Sequence, residues 1–145
     1  MGTVTAAADV ALAPIAARRL WTDLDRWPTF VDGFGRVLQV SPDWPEPGSK
    51  VVWQSNPAGR GRVTERVVEC TDDVFVTDVF EEQLAGTQSL WFAVGEAVME
   101  LDYELQKGGP LSALTDALFI RRALSDALAR TLRRFATEAA EEATL

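Results

Sequence analysis

The last third of the chain contains a long stretch without helix-breaking residues, which restricts the possible folds more than any other feature. From Leu111 to about Glu142 there is no Gly or Pro, and alanine and leucine dominate. The stretch predicts a single helix of around thirty residues, well above the usual length. Its apolar residues form a broad stripe at helical spacing: Leu114, Ala117, Leu118, Leu124, Leu128, Leu132 and Phe135. Another element must cover such a stripe.

In the segment before this helix, apolar residues alternate with mostly acidic ones. The apolar set is Ala97, Met99, Leu101, Tyr103 and Leu105, and the acidic set is Glu96, Glu100, Asp102 and Glu104. Alternation with period two predicts a β-strand with one buried face. A strand with one wet face is typical of an antiparallel sheet.

Shorter strands fill most of the remaining sequence. An alternating strand is predicted over 3–12, a helix from Pro14 to about Thr22, and further strands at 36–41, 49–56, 61–70, 74–83 and 87–94, with Ala85-Gly86 as one of the turns. Short turns favour pairing between consecutive strands. The sequence therefore predicts an α+β protein: a curved seven-stranded antiparallel sheet with two short helices and one long C-terminal helix over a cavity. At 145 residues, we expect 1–145 to form one domain.

The segment from Asp23 to Phe30 predicts a sharp corner after the first helix. The residue before a proline is pushed out of helical geometry, so the Trp27-Pro28 pair ends one helix and begins another. We expect Asp25 to cap the new short helix. The corner carries two large rings, Trp27 and Phe30, which either plug the core or form the mouth of a pocket.

Composition and charge exclude several classes of function. The net charge of −8 argues against nucleic-acid binding. The chain has no histidine, which removes Ser-His-Asp and Cys-His catalysis and the common His-ligated metal sites. No apolar run is long enough for a membrane span. A single cysteine, Cys70, fits a reducing cytoplasm, where we expect the protein to act as a monomer or homodimer.

Several segments in order resemble the SRPBCC superfamily, whose members include the birch-pollen allergen and the START domains. The residues that carry the resemblance are Asp23-x-x-x-Trp27-Pro28-x-Phe30, Gly48 before the third strand, Gly61-Arg62-Val63 at the start of the fourth, and Leu118-x-x-Arg121-Arg122-Ala123-Leu124 in the last helix. Within the superfamily, the chain looks most like the polyketide cyclase/dehydrase branch. The resemblance implies the helix-grip fold over nearly the whole chain.

The resemblance also implies a function. Members of this branch bind hydrophobic small molecules between sheet and helix, and the aromatase/cyclases among them fold and dehydrate poly-β-ketone chains. It thus implies a polyketide cyclase/dehydrase-like protein of bacterial secondary metabolism that needs no metal or organic cofactor. Four positions depart from the aromatase/cyclase pattern. Phe34 stands where a cavity tyrosine is expected, Cys70 where a catalytic arginine is expected, and Thr64 and Arg66 where tryptophans are expected. A non-catalytic carrier of a lipid or quinone-like ligand is the alternative, and a protein-interaction adaptor is a third.

Three residues are candidates for polar or catalytic work. Arg121 lies within the apolar stripe of the last helix, where a charge either serves a ligand, pairs with an acid such as Asp78, or extends to the surface. Arg66 shares a strand face with Cys70 and points inward if the acidic face is the wet one. Tyr103 lies on the apolar face of its strand, so its hydroxyl bonds either within the core or to a ligand.

Apolar candidates for ligand binding are mostly aromatic. They are Trp27, Phe30, Phe34, Trp53, Val68, Trp91, Met99 and Leu118. Large rings hold a flat apolar ligand well, but the same rings also pack protein cores. The sequence leaves these two uses open.

Overall fold

A computed structural model of the chain describes residues 2–56, 60–106 and 113–145, with side chains in the last range described from 118 onward. The strands are β1 (Gly2–Asp9), β2 (Phe34–Val40), β3 (Lys50–Ser55), β4 (Arg62–Cys70), β5 (Val74–Phe80), β6 (Leu84–Ala93) and β7 (Glu96–Leu105). The helices are α1 (Pro14–Thr22), α2 (Trp27–Phe30) and α3 (Ala113–Ala143), and a short 3-10 turn covers Leu24–Arg26.

All seven strands form one antiparallel sheet in the order β1-β7-β6-β5-β4-β3-β2. Consecutive strands from β2 to β7 are neighbours, which is the meander that the short turns predicted. Helix α3 packs mainly against β1 and α2, across one face of the sheet. The predicted α+β helix-grip architecture is confirmed.

The faces of the neighbouring strands β1 and β7 follow the sequence pattern. In β7 the residues Ala97, Met99, Leu101 and Tyr103 are buried, whereas Asp102 and Glu104 are exposed. In β1, Val4 is buried and Thr3 and Thr5 are exposed, so the apolar side of both strands faces the helices.

The prediction that Ala85-Gly86 forms a turn is wrong, because both residues lie inside β6. A Cβ atom on Gly86 would collide with the carbonyl oxygen of Asp102 and would lie 3.0 Å from Cα of Tyr103. The glycine therefore permits close approach of β7 rather than a change of chain direction. The turn itself lies three residues earlier, between Phe80 and Leu84.

The Trp-Pro corner forms as predicted, but a different carboxylate caps it. The side chain of Asp23 accepts a hydrogen bond from the backbone N–H of Asp25 at 3.2 Å and caps the 3-10 turn, so the prediction of Asp25 as the cap is wrong. Pro28 occupies the first turn of α2, where its missing N–H costs nothing.

The core lies where the corner meets the C-terminal half of α3. Trp21, Phe30 and Phe135 pack with ring centroids 5.1–5.2 Å apart. Phe30 is fully buried in this cluster, so it plugs the core.

Candidate functional site

A cavity of about 480 Å³ lies between the sheet and α3. Its helix side is formed by one face of α3 from Phe119 to Thr131, and its sheet side by residues of β3, β4, β6 and β7. Because the strands are antiparallel, one end of the sheet contains the last residues of β3 and β5 and the first residues of β4 and β6. The cavity reaches this end of the sheet, because its lining there includes Ser55, Arg60, Glu81 and Gln83.

Three tryptophans form much of the apolar wall. Trp21, Trp27 and Trp53 all line the cavity and are at most 2% exposed. Trp27 and Trp53 meet edge to face at 6.3 Å between centroids. Met99, Leu101, Leu124 and Leu128 are among the other apolar residues of the lining.

Glu65 is the most unusual residue of the wall. It lies on the inner face of β4 between the buried Val63 and Val67, lines the cavity, and is only 4% exposed. The indole N–H of Trp53 donates to its Oε2 at 2.8 Å, and the hydroxyl of Thr77 donates to its Oε1 at 3.1 Å. Burial raises the pKa of this carboxyl above its ordinary value, although the two hydrogen bonds and the charge of Arg60 oppose that rise.

Two ion pairs border the cavity. Arg60 pairs with Glu81, and its guanidinium lies 5.5 Å from the centroid of the Trp53 ring. Arg130 holds Asp32 through two hydrogen bonds of 3.0 Å each, and this bonding lowers the pKa of Asp32 despite its partial burial. Within the described part of the lining, Arg60 and Arg130 therefore both already have a carboxylate partner.

The structure brings only some of the predicted ligand-binding residues to the cavity. Trp27, Trp53 and Met99 line it. Phe34 does not, because its ring is half-buried against Trp27 and Trp53 at centroid distances of 6.1 and 5.4 Å. Phe30 lies in the core. The other three face solvent to a large extent: Val68 at 51%, Trp91 at 41% and Leu118 at 66% exposure.

The three predicted catalytic residues lie outside the cavity. Arg66 is on the exposed face of β4, where it donates to the carbonyl of Gly48 at 3.2 Å, so its predicted inward orientation is wrong. The physical reason is that Glu65, not Arg66, shares a face with Val63 and Val67. Tyr103 is buried but does not line the cavity, and its hydroxyl lies close to Gly2 of β1.

Arg121 is exposed although it falls within the apolar stripe of α3. Burial along this helix increases toward its C-terminus, from Phe119 at 74% exposure to Leu128 at 6% and Phe135 at 0%. The stripe is therefore uncovered at the level of Arg121, and the charge remains in water. The prediction that this arginine points into the cavity is wrong.

Sequence reasoning missed Glu65, Trp21 and the two ion pairs. A signal for Glu65 existed: it is an acid at the centre of the alternating set Val63, Glu65 and Val67. Among the residues that the structure describes, no three His, Cys, Asp or Glu side chains come together as a metal site. None of the described helices is long and apolar enough to cross a membrane.

No protein-family model matches the sequence, and no curated protein matches it. Solved structures do match over almost the whole chain. A protein of Thermus thermophilus has a TM-score of 0.75 at 15% identity and covers 97% of this chain and 99% of its own. The di-domain ARO/CYC StfQ from the steffimycin biosynthetic pathway has a TM-score of 0.72 at 17% identity, covering 99% of this chain and 52% of its own.

A third match is norcoclaurine synthase of Thalictrum flavum, with a TM-score of 0.66 at 10% identity over 97% of this chain and 95% of its own. At such identities, the likeness shows a common fold. That fold is the helix-grip arrangement that the sequence resemblance implied.

Proposed function

We propose that the protein binds a hydrophobic or aromatic small molecule in the cavity between the sheet and α3. The observation that carries this proposal is the cavity itself: its volume of about 480 Å³ lies in the range of small-molecule sites. Its wall is largely aromatic and aliphatic, with a few polar groups, which is the usual composition of such sites. Trp27, Trp53 and Met99 are the proposed ligand contacts among the residues that the sequence singled out.

Within this function, a polyketide cyclase/dehydrase-like role in bacterial secondary metabolism has the most support. Its support is the fold likeness to StfQ, whose name places it in a biosynthetic pathway, together with the polar groups of the cavity wall. A cavity that holds a flexible chain in one reactive conformer supplies much of the rate of an intramolecular reaction. The single cysteine is compatible with action in the cytoplasm.

A non-catalytic carrier of a lipid or quinone-like ligand is the second candidate. Two observations favour it. The chain contains no histidine for proton transfer, and both lining arginines are already paired with carboxylates.

The cavity proposal can be tested by filling the space. Ala127 lines the cavity, whereas Ala129, two residues further along α3, is exposed. We expect Ala127→Leu to abolish retention of small molecules in native mass spectrometry, because its added carbons occupy the ligand volume. Ala129→Leu is the matched control and should retain them as the wild type does. Equal retention by Ala127→Leu would contradict binding in this cavity.

A turnover experiment separates the enzyme from the carrier. The purified protein is incubated with a linear poly-β-ketone thioester, and the products are analysed by mass spectrometry. A cyclase or dehydrase gives a product that has lost water or become cyclic faster than in buffer alone. A carrier returns the compound unchanged at the background rate.

A further inference from the structure

A row of buried polar side chains crosses the inner face of the sheet at the cavity. Glu65 on β4, Thr77 on β5 and Gln88 on β6 are at most 8% exposed. The hydroxyl of Thr77 donates to Glu65 at 3.1 Å, and Thr77 lies directly opposite Gln88 in the pairing of β5 with β6. Buried polar groups normally have hydrogen-bond partners, because burial removes most of the water around them.

Gln88 is the member of this row without a partner. Within the described part of the chain, no hydrogen bond reaches its side-chain amide. Glu65 differs, because both of its carboxyl oxygens accept hydrogen bonds, from Trp53 and Thr77. A primary amide has two N–H donors and one acceptor oxygen. Since Gln88 is only 8% exposed and lines the cavity, these free hydrogen-bonding groups belong to the cavity wall.

The indole N–H of Trp21 is a second unpaired donor in the same wall. Trp21 is 2% exposed and lines the cavity, and its Nε1 has no acceptor among the described residues. Trp27 and Trp53 also line the cavity, but each has an acceptor: the carbonyl of Trp21 and Oε2 of Glu65. An indole nitrogen can only donate. Trp21 therefore requires an acceptor atom and offers nothing to an ammonium group or another donor.

The remaining uncharged side-chain donors of the described lining are two hydroxyls and a second amide. The hydroxyl of Ser55 donates to a backbone carbonyl at 3.2 Å. The hydroxyl of Thr131 accepts from a backbone N–H at 3.0 Å. The second amide, Gln83, is exposed at the end of the sheet and is open to water. Neither hydroxyl lacks a partner, in contrast to the amide of Gln88 and the indole of Trp21.

The charges of the wall argue against an anionic ligand. The described lining has three acids, Glu65, Glu81 and Asp32, and two arginines, Arg60 and Arg130. Arg60 is paired with Glu81, and Arg130 is paired with Asp32 at 3.0 Å. A ligand carboxylate would have to displace one of these partners and approach the buried Glu65. The acceptor that fits the unpaired donors is therefore uncharged.

We propose that the side-chain amide of Gln88 and the indole N–H of Trp21 are the polar anchors of the cavity, and that both donate hydrogen bonds to uncharged carbonyl oxygens of the ligand. This proposal rests on the cavity binding proposed above and narrows the ligand class to neutral ketones and quinone-like compounds. Aromatic carboxylates of the same shape are poor ligands.

Three probes of similar shape test the proposal by equilibrium dialysis. They are 2-acetylnaphthalene, which has a ketone, 2-isopropylnaphthalene, which has none, and 2-naphthoate, which is charged. For the wild-type protein at pH 7, we expect the ketone to bind at least about fivefold more tightly than the hydrocarbon, the range of one net hydrogen bond. Naphthoate should bind more weakly than either.

Two substitutions then assign the preference to the anchors. Gln88→Met removes the amide at similar length, and Trp21→Phe removes the indole N–H but keeps an aromatic ring. Each should reduce the ketone preference, and the double variant should bind ketone and hydrocarbon equally. Gln39→Met is the matched control and should keep the wild-type preference, because Gln39 is exposed on β2. The ratio of the two affinities is compared, because a change in cavity volume affects both probes alike.

The carbonyl carbon of the bound ketone gives a second readout, which needs no substitution in the aromatic core. Hydrogen bonding to a carbonyl oxygen moves the carbon-13 resonance of the carbonyl downfield. With 2-acetylnaphthalene labelled at this carbon, we expect the wild-type complex to give a signal downfield of the same ketone in hexane. In the Gln88→Met variant the signal should move back upfield. If Trp21→Phe does not fold, Gln88→Met and this signal decide.

The outcomes separate this proposal from the one beneath it. If the double variant keeps the wild-type preference, if naphthoate binds as tightly as the ketone, or if the bound carbonyl resonates as it does in hexane, the anchor proposal is wrong. A single variant that keeps the full preference contradicts the role of the residue it replaces. If the hydrocarbon itself fails to bind the wild type, the cavity function is wrong.

Discussion

Indole N–H groups differ in their partners at this corner of the molecule. Trp27 donates to the carbonyl of Trp21 at 2.7 Å, Trp44 to the carbonyl of Thr22 at 2.9 Å, and Trp53 to Glu65. Trp21 Nε1 is buried and has no hydrogen-bond partner within the described residues. An unpaired buried donor is costly unless something else accepts from it.

Paired Trp-to-Phe substitutions measure this difference. Both Trp21→Phe and Trp27→Phe lose ring volume, but only Trp27→Phe leaves a buried carbonyl without its donor. We expect Trp27→Phe to lower the free energy of unfolding by about 1 kcal/mol more than Trp21→Phe does, the usual net worth of one hydrogen bond. Urea unfolding gives both values. Equal losses of unfolding free energy would mean that the indole N–H of Trp21 has a hydrogen-bond acceptor in solution.

The raised pKa of Glu65 predicts how the free energy of unfolding changes with pH. Its pKa is raised in the folded protein, so the folded state binds more protons than the unfolded state between the two pKa values. The stabilisation is complete below the ordinary value of 4.5 and is lost as the pH rises through the folded pKa. Glu65→Gln should therefore match the wild type at pH 4 and exceed its free energy of unfolding at pH 8.

Glu69→Gln provides the control, because Glu69 is exposed on the same strand. Denaturant unfolding across the pH range should give parallel curves for this variant and the wild type. A Glu65→Gln curve that also stays parallel would show that the carboxyl is not destabilised by burial.

At the scale of a strand, β4 shows why face assignment from sequence failed. Its first half alternates with Val63, Glu65 and Val67 inward. A β-bulge between Val67 and Glu69 then changes the register against β5, and Val68 and Glu69 are both exposed. The sequence pattern predicts that Glu65 and Glu69 share one solvent-exposed face, but only Glu69 is exposed. A bulge carries no reliable sequence mark, so period-two reasoning could not show that Glu65 and Glu69 lie on different faces.

Helix α3 is held to the corner by ion pairs. Arg26 binds Glu138 at 2.7 Å and Glu142 at 2.9 Å, and Asp32 binds Arg130 at 3.0 Å. The backbone N–H of Asp32 also donates to the hydroxyl of Thr131 at 3.0 Å. These contacts fix the helix in register over the cavity.

Removing the charge of Asp32 should weaken this attachment moderately. The pKa of Asp32 is lowered, first of all by its hydrogen bond from Arg130, so its contribution is present above the ordinary value of 3.8 and is lost as the pH falls through the folded pKa. We expect Asp32→Asn to cost about 0.5–1 kcal/mol at pH 7, because the pair is partly exposed and screened. The difference should shrink as the pH falls below 3.8, the ordinary pKa of the carboxyl.

Chemical unfolding of Asp32→Asn beside Asp25→Asn checks this expectation, since Asp25 is an exposed acid of the same corner. An equal and pH-independent effect of both substitutions would argue against a specific role for the Asp32 pair.

For the whole molecule, the architecture was predictable and the site largely was not. Long periodic segments such as β7 and α3 can be recognised from the sequence as strand and helix. The short turns between strands restrict the sheet to very few topologies. The site depends instead on how far along α3 the other elements cover the helix. Arg121 has the right helical angle for burial, but the sequence does not show that α3 is uncovered at that level. Helical periodicity indicates on which side of a helix a residue lies. It does not indicate whether other elements cover the helix at that position along its length.

The gradient of burial along α3 predicts a gradient of local stability. Residues 118–123 make few buried apolar contacts, whereas Leu132, Phe135 and Ala139 are at most 1% exposed. Local opening costs least where few apolar contacts must break. We expect backbone amides of 118–123 to exchange with deuterium much faster than those of 132–139. Uniform protection along the helix would contradict this.

The one-sided anchoring of α3 has a kinetic consequence. We expect a bound molecule to enter and leave beside the exposed turns at 118–123 while the buried Phe135 and the sheet stay in place. The residence time of a ligand then follows from the local barrier at those turns and not from the barrier for unfolding the whole protein. A variant made more resistant to heat through its core would therefore release its ligand at the same rate as the wild type.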